Sequence, residues 1–167
     1  MKKVVALLIT LMAFSVFGEL KFGYINAERI MTEYSESKKA TEELQKLSKD
    51  RENEAMKMEA ELKKLDEELK NMSMMLSEDK KREKMEEGKK KLVEYQAFKE
   101  RVWGSEGELA RKNIELTNPL LKKINDAIKV VSEKEGMDYV FDATNGTLVY
   151  SKPDYDLTDK ILMELNK

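Results

Sequence analysis

The chain has 167 residues, 38% of them charged, with 31 basic and 33 acidic side chains for a formal net charge of −2. It has no Cys and no His, which excludes disulfides, a Cys nucleophile, a His base and His/Cys metal clusters. A chain this close to electrical balance also carries no basic stripe for a nucleic acid.

The first eighteen residues differ from the rest. Lys2 and Lys3 precede the uncharged run "VVALLITLMAFSVF", and Val16 and Gly18 stand where a signal peptidase needs small residues. The run is fourteen residues long, short of the roughly 20 a spanning helix requires. Residues 1–18 therefore read as a signal peptide cleaved after Gly18, and no Cys is present for lipid attachment. The expected mature chain is exported, soluble and without a transmembrane segment. Without Lys2 and Lys3 the basic residues fall to 29 against 33 acidic ones, a net of −4.

Next comes "LKFGYIN", residues 20–26, whose alternation puts Leu20, Phe22 and Tyr24 on one face of a strand. Asn26 is placed to cap a helix starting near Ala27 or Glu28.

Residues 28–117 are rich in Glu, Lys, Leu and Met and contain no Pro. Ala55, Met58, Leu62, Leu65, Leu69, Met72 and Leu76 are spaced by alternating threes and fours, a heptad seam that packs one helix on another. Ser77 is placed to cap a second helix, along which Met85, Leu92, Tyr95, Phe98, Val102, Leu109 and Leu116 form a looser stripe. The reading is two long helices joined near residues 73–78 in an antiparallel coiled-coil hairpin. Arms of about 45 residues reach roughly 65–70 Å. Pairs such as Glu42–Lys46, Glu59–Lys63 and Asp66–Lys70 add only about 0.2–0.5 kcal/mol each, so cohesion falls to the seam. That seam weakens toward the base of the first arm, through Arg51, Ser48, Leu44, Thr41 and Ser37, mostly polar or small. Gly88, Gly104 and Gly107 interrupt the second, either to let it bend or to make room for bulky neighbours such as Trp103. At the bend, Met74 and Met75 are expected to be exposed beside Met72 and Leu76 of the seam. These four are candidate contacts for varied apolar partners, because Met is flexible and polarizable, and packing of the hairpin tip is the competing use.

The last region, 118–167, opens at Asn118-Pro119, which either kinks the second arm or starts a new helix. Leu120, Leu121, Ile124, Ala127, Ile128 and Val131 form an apolar helical stripe ended by Gly136. "DYVFDATNGTLVYS", residues 138–151, predicts a β-hairpin turning at Asn145-Gly146, followed by Pro153 and a helix begun by Asp156. Two strands alone are marginal, so the hairpin is expected to form a small sheet with residues 20–26. Residues 19–27 and 118–167 then make one compact body of about 60 residues, marginal by itself. Association of several copies would enlarge its core and pair its strand edges. Phe22, Tyr24, Tyr139, Phe141, Leu148 and Tyr150 are the apolar strand residues expected to fill it.

Two segments carry a family resemblance. "KFGYINAERIMTEYSESKKATEEL" resembles the entry segment of the Skp/OmpH family of periplasmic chaperones. "NPLLKKINDAIKVVSEKEGMDYVFDATNGTLVYSKPDYDLTDKILMELNK" is similar to its closing segment: the Pro-containing helix, Glu-Gly before a strand, Phe-Asp ending it, Tyr after the turn and Asp-Leu-Thr-Asp opening the last helix. The resemblance implies a mostly α fold with a small β body, in which a long helical-hairpin arm stands on a compact α+β trimerisation body. It further implies a homotrimer that holds unfolded outer-membrane proteins in a cavity between its arms, in the periplasm, without ATP or any cofactor. Known members are strongly basic. Here the arms carry about 21 basic and 23 acidic residues between Glu28 and Thr117, so no lipid or lipopolysaccharide site is carried over. A structural or adaptor coiled coil of the envelope is the alternative. A prefoldin-like cytosolic holdase is disfavoured by the signal peptide. An enzyme is disfavoured because clusters such as Asp66-Glu67-Glu68 sit on a charged helix face without an evident pocket.

Overall fold

A computed structural model describes residues 19–71, 75–146 and 148–167. The signal segment lies outside them, as do Met72 and Met74. The chain divides into two compact units, one formed by residues up to Tyr34 with Lys123–Lys167, the other by Ser35–Lys122.

In the first unit, strand β1 (Phe22–Ile25) leads through Asn26 into helix α1 (Ala27–Glu33). The expected cap is present: Asn26 Oδ1 accepts from Arg29 N–H at 2.8 Å, satisfying a donor the first turn leaves free. α1 stops at Tyr34, which is extended and buried. After the end of helix α4 (Glu108–Glu135), strand β2 (Tyr139–Asp142), a 3₁₀ turn (Pro153–Tyr155) and helix α5 (Thr158–Leu165) complete the unit. Its core is Ile25, Ile30, Tyr34, Ile124, Ala127, Val131, Leu157, Ile161 and Leu162.

The sheet departs from expectation. β2 pairs with β1 in parallel, Phe22 opposite Tyr139 and Tyr24 opposite Phe141, so residues 20–26 are indeed its partner. The second half of the expected hairpin is not a strand, and Val149 and Tyr150 are 95% and 81% exposed. The turn residue behaves as anticipated, since Gly146 has φ +67°. What diverts the chain is Asp142, whose Oδ1 accepts from Thr144 N–H at 2.9 Å, Thr144 Oγ at 2.6 Å and Ala27 N–H at 3.3 Å. These bonds tie the end of β2 to the start of α1; Ala143 N–H donates to Ile25 O at 2.8 Å and Glu28 N–H to Thr144 Oγ at 3.3 Å, so the turn is held against β1 and α1.

In the second unit, α2 (Ser35–Asn71) and α3 (Glu78–Trp103) form the helical hairpin, joined by residues 72–77. Ser77 caps α3 by accepting from Lys80 N–H at 3.4 Å. Two ion pairs give the register: Lys91 meets Glu61 at 2.7 Å and Lys84 meets Glu68 at 2.6 Å. Leu65, Phe98 and Val102 are buried, and Ala55, Met58, Leu62 and Leu69 half-buried, as a seam requires. Met85 and Leu92 are not sealed in it and remain 54% and 46% exposed.

The second arm breaks where Gly104–Gly107 stand. Pro119 starts no new helix: α4 runs unbroken from Glu108 to Glu135 with Pro119 inside it. Pro119 removes one N–H to the Glu115 carbonyl, and Glu115 is exposed where water can replace that bond.

Candidate functional surfaces

The described residues offer two exposed surfaces as candidate functional features. Among the described residues no cluster of acidic side chains is suited to a metal.

The first surface is the outer face of the small sheet. Strand alternation sends Gly23 and Ile25 inward, both buried, and Phe22 and Tyr24 outward. Inward packing is close: a Cβ on Gly23 would stand 2.9 Å from Leu157 Cδ1, so this position admits only Gly without a shift of Leu157. Thr158 locks the arrangement from beneath. It is fully buried, its Oγ accepts from Asn26 N–H at 2.9 Å and donates to Asp156 Oδ1 at 2.5 Å. Leu157 N–H donates to Tyr24 O at 2.9 Å, bringing residues 156–157 along the other edge of β1.

On the outer face Phe22 stacks on Tyr139 at 5.5 Å and on Phe141 at 6.0 Å. All three keep 45–55% exposure. Phe22 and Phe141, with Leu20, Tyr24, Leu148 and Tyr150, line an open groove of about 810 Å³, and Tyr139 stands beside it, stacked on Phe22. Every strand residue singled out from the sequence for the body thus lies on or beside one aromatic groove, and none of them is in the single chain's core. Leu20 also lines it, on the face its alternation with Phe22 and Tyr24 predicts, whereas Tyr155, another lining residue, carried no signal in the sequence.

The second surface is the hairpin. Met75 is 83% exposed at the bend and Leu76 half-buried. Met56 and Val93, both 64% exposed, are further apolar side chains on its surface that the heptad pattern leaves out. The charges between helices are paired. Lys91 and Lys84 hold the Glu61 and Glu68 carboxyls below their usual range by hydrogen bond and charge. Arg51, a polar intruder in the seam register, donates from Nε and Nη2 to both oxygens of Glu108 at 2.9 and 2.7 Å, and from Nη1 to Glu54 at 2.9 Å. That bidentate hydrogen bond is the largest cause of the lowered Glu108 pKa, with Arg101 and Arg111 adding attraction. Of the sequence-predicted helix-face pairs, Asp66–Lys70 forms at 2.5 Å, while Lys63 turns to Glu67.

A coiled-coil hairpin in one unit and a small parallel sheet with an uncovered aromatic face in the other define a helical-arm protein. Residues 21–165 match the family described as outer membrane protein (OmpH-like). The chain belongs to this family. It is 28% identical over 157 residues to the chaperone protein Skp of Vibrio cholerae serotype O1, covering 92% of this chain and 88% of that protein. Skp of Yersinia enterocolitica is 29% identical over 147 residues, covering 87% and 85%. Among solved structures, a Caulobacter crescentus CB15 protein described as an OmpH-like outer membrane chaperone shares the fold with a TM-score of 0.78 at 13% identity, over 89% of this chain and 85% of its own.

Proposed function

We propose that this protein is an ATP-independent holdase of the periplasm, which binds unfolded outer-membrane proteins between helical arms and keeps them from aggregating. The observation that carries this reading is membership of the OmpH-like family along 21–165, joined to a hairpin that displays exposed apolar side chains. Relatives with this chain length and order of segments are chaperones named Skp. Unfolded β-barrel segments expose apolar surface and unpaired strands, which a holdase must cover.

The reading extends to assembly and location. Residues 1–18 are removed after Gly18 on export. Three copies associate through the aromatic groove, each burying Phe22, Tyr139 and Phe141 against its neighbours, while residues 148–150 find on another copy the strand partner they lack on their own. Residues 28–117 are the arm; 19–27 and 118–167 are the body. Met75, with Met72, Met74 and Leu76, touches clients at the bend.

The test has two parts. Light scattering of the mature chain is expected to give a trimer mass. An unfolded outer-membrane β-barrel protein diluted from urea is expected to stay soluble at a stoichiometric amount of trimer without nucleotide. Unchanged aggregation of the barrel protein beside a correctly assembled trimer would leave a structural coiled coil as the better reading.

A further inference from the structure

The buried and half-buried positions along α3 include Lys84, Gly88, Lys91, Tyr95, Phe98 and Val102, spaced by fours and threes. They form the seam this helix presents to α2. Met85 and Leu92 each follow a seam residue by one position, so both turn about 100° away from the partner helix, toward one side of the hairpin. In an antiparallel pair the position one step past a seam residue on the other helix falls on that same side. Met56, next to the half-buried Ala55 of α2, is such a position. Met56 and Met85 are 64% and 54% exposed, and Met75 stands out at the bend. The opposite side is polar: its groove is lined by Glu61, Glu68, Glu87, Lys64, Lys84 and Lys91, with Leu65 beneath.

Met85 has a further distinction. It lines an open cleft of about 500 Å³ with Leu69, Lys70 and Lys81. Lys81 Nζ donates to Glu78 at 2.6 Å, and an ammonium has more than one N–H to give. A thioether is only a weak acceptor for such a donor, whereas a sulfoxide oxygen is a strong one. The chain presents an oxidant with no thiol and no imidazole, which leaves these thioethers as its exposed soft nucleophiles.

We propose that Met56, Met75 and Met85 are an oxidation site, where hydroperoxides convert thioether to sulfoxide and loosen the arm's hold on apolar segments. The sulfur attacks one oxygen of hydrogen peroxide. The S–O bond forms as the O–O bond breaks, sulfur gives up two electrons, and the proton on the transferred oxygen passes to the departing hydroxide, which leaves as water. The product is polar and is reversed by methionine sulfoxide reductases. At Met85 the new oxygen accepts from Lys81 and draws the side chain off the apolar surface beside Leu69. The loss of client binding rests on the holdase reading; the site of oxidation does not.

The assembled protein is treated with hydrogen peroxide and its peptides are read by mass spectrometry. Met56, Met75, Met85 and the exposed Met163 of α5 are expected to gain one oxygen before the half-buried Met31, Met58 and Met137. Binding of anilinonaphthalene sulfonate, which reports exposed apolar surface without a client, is expected to fall. Suppression of barrel-protein aggregation is expected to weaken about tenfold, as loss of a few apolar contacts should, and to return on treatment with the reductases. Helicity by circular dichroism is expected to stay constant. The combination Met56→Leu, Met75→Leu and Met85→Leu keeps apolar, helix-favouring side chains and is expected to hold clients equally with and without peroxide. Met163→Leu is expected to remain as sensitive as the wild type. A triple variant that peroxide weakens as it does the wild type would overturn the proposal. So would three sulfoxides with unchanged dye binding and holding, helix loss on oxidation, or earlier oxidation of the half-buried methionines. Untreated protein that failed to hold clients would strike the holdase reading instead, and the dye and the mass spectra would still decide the oxidation site.

Discussion

Phe22 and Tyr139 face each other across the parallel strand pair with rings 5.5 Å apart and 16° from parallel, yet about half of each remains exposed. An aromatic pair at this distance contributes stabilisation beyond its area, but most of the apolar surface around it is still in water. Large contiguous apolar patches on a soluble chain mark interaction sites. Phe141, stacked on Phe22 and 48% exposed, therefore offers burial still to be gained, and fully burying an aromatic is worth roughly 1.5–3 kcal/mol. Phe141→Asp is expected to lower the mass from trimer to monomer in light scattering while helicity survives, because the single chain's core does not include Phe141. Retention of the oligomer with unchanged melting would sink the groove as an assembly surface.

The glycines of the second arm should separate by role. Gly88 lies within α3, and a Cβ there would sit 3.4 Å from Leu65 Cδ2, in ordinary contact. Gly88→Ala is expected to stabilise the hairpin by about 0.5–1 kcal/mol, the usual gain of Ala over Gly in a helix. At Gly107 a Cβ meets three backbone atoms within 2.9 Å, and Gly107→Ala is expected to cost about 1–3 kcal/mol through forced backbone shifts. Urea melts followed by circular dichroism compare the two. A destabilised Gly88→Ala would mean that its neighbours cannot accept even a methyl group.

Acid should loosen the junction of β2 with α1. The Thr144 hydroxyl, then the Thr144 amide and the Ala27 amide, bind the Asp142 carboxylate and lower its pKa. A carboxyl depressed in the folded state contributes stability above its unfolded pKa, and that contribution disappears as pH falls through the folded value. Asp142→Asn keeps an acceptor and loses the charge. The wild type is expected to exceed this variant in urea midpoint at neutral pH, with the difference closing below about pH 4. A difference that stayed constant down to pH 2 would show that the carboxylate charge contributes nothing there.

Much of this architecture is visible in one-dimensional pattern. Asn26 and Ser77 cap the helices they precede, and the three–four spacing from Ala55 to Leu69 appears as half-buried and buried positions. These features depend on near neighbours or on a strict period. Misplaced features depend on distant partners. "TNGT" carries a hairpin signal, and Gly146 adopts the required positive φ, but the bond from Ala27 N–H to Asp142 Oδ1 bridges 115 positions and ties the turn to the start of α1. Pro119 looks like a stronger break than Gly104 and Gly107, yet a lone proline on a solvated helix costs one bond, whereas the two glycines permit contacts that no other residue can make. Arg51 appears in the heptad register only as a flaw. Its partner is Glu108, fifty-seven positions away, which only the fold brings beside it.

Arm length offers the most direct separation of holding from assembly. The Glu61–Lys91 and Glu68–Lys84 pairs share one register, and extending it places Glu54 level with Phe98. Removing residues 55–97 and closing the gap with a short glycine-containing turn would therefore preserve pairing below the cut. It would keep the buried Phe98 and Val102 and the Arg51–Glu108 contact, while shortening the two helices by roughly 25 and 30 Å at 1.5 Å per residue. The unit containing the aromatic groove is untouched, so the trimer mass, less the deleted residues, is expected in light scattering. Suppression of barrel-protein aggregation is expected to fall at least about tenfold per trimer, because a holdase without ATP has only contact surface to offer and affinity depends on how much of it is well placed. Comparing the shortened chain with the parent at matched trimer concentration reads both effects in one series. A shortened trimer that protected clients as well as the parent would assign holding to the body and reduce the arms to spacers.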